Sequence, residues 1–429
     1  MEDSQKPHGL EMKIFLKRYL LFFVLIAFIL LLGSYLLFYS KITQTDTIKV
    51  GILFPTTGAE AISGEPAAKG VLLAIEEINK SGGIKGKKIV PISYNPNSDP
   101  NLYGQYTKRL ILEDEVSAIF GCLTSASRKV VKPIVEQYEN LLIYPAPYEG
   151  IEDSKNIIYI GAIPNQQIVP AISLMILKGY KRFFILGSNY IYTYVANEII
   201  SHEITSQGGK IVGVSYIPFG KGEVDEVIKQ VQLAQPEVIV NVLSGEDNII
   251  FFKKLNKISP RPIVLSFNVS DEEINEINPL NMVNDYFSWT YYPTIKNEEN
   301  RIFRQAYKKK YGSVDDVDAN TINAYKSVYL WEQGVEQSPD NSPPIVRDFM
   351  LRTSVGSPSG IIYLDPLSGQ AWRNIIISKI EKNGDFSTVW HSSNPIPPII
   401  YPTFKTKAEW NLLEYQLYVG WGNSWKAND

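Results

Sequence analysis

Hydroxyl, phenol and amide side chains recur in this chain just behind short apolar runs, and these are the residues whose types and spacing invite chemistry. Thr124 and Ser125 follow the run 116–120. Tyr144 and Tyr148 flank Pro145-Ala146-Pro147 behind a second run, Tyr190 and Tyr192 stand behind a third, and Asn268, Ser270 and Asp271 behind a fourth. Oriented dipoles and flat rings suit a small uncharged polar molecule better than an ion. A hydroxyl beside the free N–H groups of a helix start can hold an acceptor, and rings on either side select a planar shape. Each residue also has an ordinary role: Ser125 as a helix cap, Tyr144 as core, and Asn268, Ser270 and Asp271 as the cap of a helix over 271–278.

Bond-breaking machinery is scarcer. His8, His202 and His391 stand far apart, outside any metal-ligand spacing. Cys122 is the one cysteine, so no intramolecular disulfide forms. As the nucleophile of an amidase it would need a base close by, and within Gly121-Cys122-Leu123 its thiol is expected to pack behind a strand end. The stretch 81–88, SGGIKGKK, has neither phosphate-loop nor dinucleotide spacing and reads as a helix stop and turn. No enzyme and no cofactor is expected. A net charge of −3, with no long basic run, gives no reason to expect nucleic acid.

The elements that must position these residues alternate regularly. A length of 429 residues suits two lobes. Residues 48–54 read as a buried strand ending at Pro55; Ser63 stands as a possible cap of a helix with Ala67, Val71, Ile75 and Ile78 on one face, stopped by Gly82-Gly83. Strands at 88–94, 116–120 and 141–144 alternate with helices at 101–113 and 126–139. The pattern restarts with helices at 165–178, 192–207, 223–234 and 247–257 among strands at 182–186, 210–217, 238–243 and 262–267. Helices at 297–311, 319–337 and 344–353 and strands at 361–364, 373–381 and 386–390 follow. Such alternation predicts parallel sheets covered on both faces, with ligands held beyond the carboxyl ends of the strands.

At those ends the sequence resembles a known family. GILFPTTGAEAISGEPAAKGVLLAIEEINKSGGIKGKKI (51–89) is similar to the opening of type I periplasmic binding proteins of the branched-chain amino acid transporter class. GCLTSASRKVVKPIVE (121–136), YPAPYEG (144–150), NIIYIGAIPNQQIVP (156–170) and GSNYIYTYVAN (187–197) resemble the urea and short-chain amide branch, which includes urea transporter components and an amide-sensing regulator. The resemblance spans about 48–395. It implies a two-lobed α/β fold with three crossovers, lobe 1 over 48–163 plus 285–357 and lobe 2 over 164–284 plus 358–400. It also implies that Thr124, Ser125, Tyr144, Ala146, Pro147, Tyr148, Tyr190, Tyr192, Asn268, Ser270 and Asp271 surround the ligand. Pro147 lacks an N–H and Ala146 a hydroxyl, which leaves a carboxylate poor purchase and favours a neutral amide or urea. Serving an ABC permease is the first expectation, signalling to a sensory partner the second, and an amidase a remote third.

Residues 19–40 carry no charge and are long enough for one membrane span, with Lys13, Lys17 and Arg18 before them. The positive-inside rule then leaves 1–18 in the cytoplasm and the rest on the periplasmic or extracellular side of the plasma membrane. A cleaved signal is the competing reading. The tail 401–429, with Trp410, Tyr415, Tyr418, Trp421 and Trp425, fits a surface on lobe 2, on the membrane or on a partner.

Overall fold

The structure is a computed structural model that describes residues 8–43 and 47–427; within 8–43 the side chains of Met12, Leu16, Lys17 and residues 19–34 are described. The chain falls into two units, 1–47 and 48–429. The first holds helix α1 (His8–Thr43), whose apolar side chains such as Leu20, Phe23 and Leu31 are exposed. Among the described residues no helix is long and apolar enough to cross a membrane. The anchor expected over 19–40 has its side chains described only as far as Ser34.

Among the described residues the second unit contains two large sheets and one small one. The first has the order β2-β1-β3-β4-β5, built from β1 (Thr47–Leu53), β2 (Lys88–Ser93), β3 (Ile119–Gly121), β4 (Leu142–Tyr144) and β5 (Ile157–Tyr159). Helices α2 (Ala61–Lys80), α3 (Pro100–Leu112) and α4 (Ser125–Gln137) connect its strands. Ser63 lies inside α2 rather than at its cap, because the helix starts at Ala61. β1, β3, β4 and β5 pair in parallel and are buried on both faces, hence their unbroken Ile, Val and Leu runs.

The second sheet has the order β15-β14-β10-β9-β8-β6-β7. It starts with α5 (Pro164–Leu177), β6 (Arg182–Ser188), α6 (Ile191–Ser206), β7 (Lys210–Ile217), α7 (Asp225–Ala234), β8 (Val238–Val242), α8 (Asp247–Leu255), β9 (Ile263–Ser266), α9 (Asp271–Ile277) and β10 (Tyr286–Trp289). Those strands are parallel. The chain then returns to the first lobe, where α10 (Glu298–Tyr311) and α11 (Ala319–Gln337) pack on α2, and α12 (Pro343–Met350) packs on α11. Gly70 lets α2 and α11 meet closely: a Cβ there would stand 2.7 Å from the Thr321 carbonyl. A small sheet of β11 (Ser354–Ser357), β12 (Gly360–Leu364) and β13 (Ala371–Trp372) follows, and Gln370 bridges to Tyr159. Last come β14 (Ile376–Ile380) and β15 (Phe386–His391), antiparallel on the second sheet, and α13 (Lys407–Gly420).

Two expected lobe limits move. β10 pairs with β9 and β14, so the return to lobe 1 comes after Trp289 and not at 285. β12 and β13 pair with β11 and touch β5, so the last crossing comes after Trp372 and not at 358. Tyr286-Phe287-Ser288-Trp289 is too short to announce itself as a strand, and it gains its place from pairing on both edges.

The tail packs on lobe 2 and reaches lobe 1. Trp410 is fully buried and donates to the Pro402 carbonyl at 3.0 Å. His202 stacks on Phe404 and Tyr194 meets Trp421 edge-on. Across the divide, Lys407 pairs with Asp153 at 3.0 Å and Glu414 with Lys129 at 2.5 Å. The chain end joins Tyr190 through a bridge at Lys426.

A candidate ligand site between the lobes

The carboxyl ends of β1, β3, β4, β6, β8, β9 and β10 converge on a cleft between the lobes. Its inner chamber is lined from lobe 1 by Glu60, Ser63, Leu123, Thr124, Ala146, Pro147 and Asn320, and from lobe 2 by Tyr190, Tyr192, Ser244, Gly245, Asn268, Ser270 and Trp289. Its cavity volume is about 40 Å³, room for roughly three waters. An outer chamber shares Glu60, Thr124 and Tyr190 and adds Ser98, Tyr103, Phe219 and Lys426. The lobes already touch. A Cβ on Gly245 would lie 2.5 Å from the Ala59 carbonyl, and one on Gly220 would lie 2.9 Å from the Ala59 Cβ.

The polar lining is held in place by its own lobes. The Thr124 hydroxyl caps α4 by accepting from the Ser127 N–H at 3.2 Å. Tyr190 and Ser244 share a hydrogen bond at 3.0 Å, and Tyr190 stands edge-on to Phe219 with centroids 5.3 Å apart. Ser270 lines the cleft and also caps α9 in a capping box with Glu273. Pro145 is fixed from behind: Asn323 donates to its carbonyl at 2.9 Å, and Arg373, from the last crossing, donates to Asn323 at 2.7 Å.

Thr124, Ala146, Pro147, Tyr190, Tyr192, Asn268 and Ser270 thus come together at the cleft, whereas Ser125, Tyr144, Tyr148 and Asp271 stand outside the lining. Ser125 is the first residue of α4, and its side chain turns inward, donating to Glu149 and accepting from Arg128 at 3.1 Å. The Tyr144 hydroxyl donates to the Leu123 carbonyl at 2.9 Å and so shapes the turn under Thr124. Tyr148 stacks on Tyr159 at 5.0 Å, and Asp271 opens α9. Behind these residues lies an ion cluster. Arg128 bonds Glu149 at 2.8 Å and Glu152 at 2.9 Å, and Lys129 bonds Glu152 at 3.0 Å, all buried. Burial alone would raise the Glu152 carboxyl, but the Arg128 and Lys129 charges outweigh it and hold it below the usual carboxylate range.

Glu60 was not singled out by the sequence. It is buried, its Oε1 has no hydrogen-bond partner among the described residues, and it faces both chambers. Burial first, then the charges of Glu273 and Asp247, push its pKa up to about 8. The strand-end rule points just past Pro55, a few residues short of it. Cys122 directly follows β3 with φ +65° and is fully buried, and burial pushes its thiol up to about 12, so it stays protonated and makes a poor nucleophile.

Comparison with known proteins gives a consistent family. A family model described as a periplasmic binding protein domain matches residues 48–407. A solute binding protein of an ABC transporter from R. palustris, solved in complex with 4-hydroxybenzoate, superposes with a TM-score of 0.76 at 18% identity, covering 82% of this chain and 98% of that one. A leucine binding protein from Thermotoga maritima gives 0.71 at 18% identity, covering 80% and 98%. The Leu/Ile/Val-binding protein homolog 8 of Brucella abortus (strain 2308) is 42% identical over 79 residues, which is 18% of this chain; the match spans about a fifth of that relative's length.

Proposed function

Because the chain belongs to the periplasmic binding protein family, we propose that it is an extracytoplasmic solute-binding protein that closes on urea or a short-chain amide and presents it to an ABC importer. The inner chamber carries this reading. Its described lining has hydroxyls, amides, phenols and one carboxyl but no Lys, Arg or His, and its space suits a ligand of a few heavy atoms. The benzoate and leucine named for similar structures bear a carboxylate, which this lining leaves without a cation. Closure buries the ligand, so ligand binding shifts the population toward the form a permease reads. The uncharged run 19–40 supports a membrane tether, with the binding domain on the outer side. The same tether supports the alternative of a sensor passing lobe closure to a separate partner. The thiol of Cys122 offers an amidase no nucleophile.

Calorimetry on the full chain in detergent micelles should show micromolar or tighter binding of urea, acetamide or formamide, and none of leucine or 4-hydroxybenzoate. Tyr190→Ala removes one aromatic wall and a hydroxyl, and should weaken that binding by about 1–3 kcal/mol. Tight leucine binding with no response to amides would sink the ligand assignment. Ammonia release from urea or acetamide would restore the enzyme reading.

A further inference from the structure

Glu60 is an anomaly in an inner chamber otherwise lined by neutral groups. It sits at the start of α2, with its N–H donating to Ser98 Oγ at 3.1 Å, while its side chain opens to both chambers. Among the described residues no cation is bonded to it, and Lys426, which shares the outer chamber, acts on Asp247. The charged groups that bear on it are Glu273 and Asp247, both acidic. Asp247 accepts from Gly220 and Gly222. Glu273 is engaged by Ser270 and Asn248. Tyr190 and Tyr103 complete the surroundings. A buried carboxyl oxygen without a partner is costly unless a guest satisfies it.

We infer that Glu60 reads the ligand directly, its carboxyl group meeting the adjoining carbonyl and N–H of an uncharged amide or urea. This rests on the functional reading above and adds the group that selects the ligand. In the protonated acid the O–H donates to the ligand carbonyl and the C=O accepts from the ligand N–H, so both partners are satisfied at once. An ionised Glu60 would offer two acceptors and repel the carbonyl. The proton comes from solvent. In an open cleft the carboxyl is hydrated and titrates near its ordinary 4.5, whereas the closed form holds it at about 8. The closed form therefore keeps the proton through that window, and closure takes one up between about pH 5 and 8. Binding is strongest below the window, weakens as pH rises across it, and has lost the contribution above about pH 8.

The test is calorimetry of urea and acetamide on the full chain at pH 6, 7 and 8, in phosphate and in imidazole buffer. Proton uptake appears as a buffer-dependent heat. The wild type should lose about tenfold in affinity from pH 6 to 7 and about fivefold from pH 7 to 8, taking up close to one proton at pH 6 and 7 and about half a proton at pH 8. Glu60→Gln keeps a donor and an acceptor, so it should bind with pH-independent affinity and no buffer-dependent heat. Glu60→Leu should bind at least tenfold more weakly than Glu60→Gln. Amide binding with no proton uptake, and with Glu60→Leu unimpaired, overturns the role of Glu60 alone. Tighter binding of a cationic amine as pH rises overturns it too. Failure of the wild type to bind any amide overturns the functional reading and this inference with it.

Discussion

Replacing Arg128 with alanine should destabilise the folded chain by about 3–5 kcal/mol, because it strands Glu149 and Glu152 without their shared guanidinium. Arg128 and Glu149 are wholly enclosed, so water cannot take the place of the lost partner. Guanidinium chloride is the denaturant of choice, since urea is itself a proposed ligand. The loss should depend on pH in a defined direction. In the wild type Glu152 is held low, so its stabilisation is present above its unfolded value near 4.5 and is lost as pH falls below it. In the variant Glu152, left with Lys129 alone, is held low less strongly and takes a proton more readily. The gap between variant and wild type should be widest near pH 7–8 and narrow toward pH 4. Combining Arg128→Met with Glu149→Gln and Glu152→Gln should recover much of the loss. A single variant as stable as wild type would show that the cluster is hydrated in solution.

Gly245→Ala should cut ligand affinity by ten- to a hundredfold while leaving the fold intact. The new Cβ would stand 2.5 Å from the Ala59 carbonyl and 3.2 Å from Glu60 Oε1, contacts that exist only when the lobes meet. Overpacking of this kind costs about 1–3 kcal/mol, and each 1.4 kcal/mol is about tenfold in affinity. Gly245 also has φ +69°, so alanine there is strained in the open form as well. Gly208 separates the two effects: it has φ +79° and nothing within 4 Å of an added Cβ. Gly208→Ala should lower thermal stability to a similar degree and leave affinity unchanged. Equal affinity in both variants would mean that closure does not bring Gly245 onto Ala59.

The sequence carried the fold further than the site. Helix α11 was legible to the residue because Asp318 caps it and its apolar stripe is unbroken; β7 was equally plain. β10 was not, since four residues pairing on two edges leave no local period. The cleft was legible as strand ends, and seven of the eleven expected residues line it. Ser125 was misjudged because neighbours at a helix start face different ways. The Thr124 hydroxyl stays at the cleft as the cap, while Ser125, one residue on, points into the Arg128 cluster. Glu60 was invisible because a glutamate beside a turn ordinarily means solvent. It is buried where the lobes meet, with Gly245 of the other lobe beside it.

The sealed position of Cys122 makes the native chain silent to maleimide dyes. A cysteine introduced at Leu112 on the first lobe and another at Leu233 on the second, 54% and 86% exposed, would take a donor and an acceptor fluorophore without removing the natural thiol. Energy transfer between them then follows the jaw opening and shutting in real time, one molecule at a time.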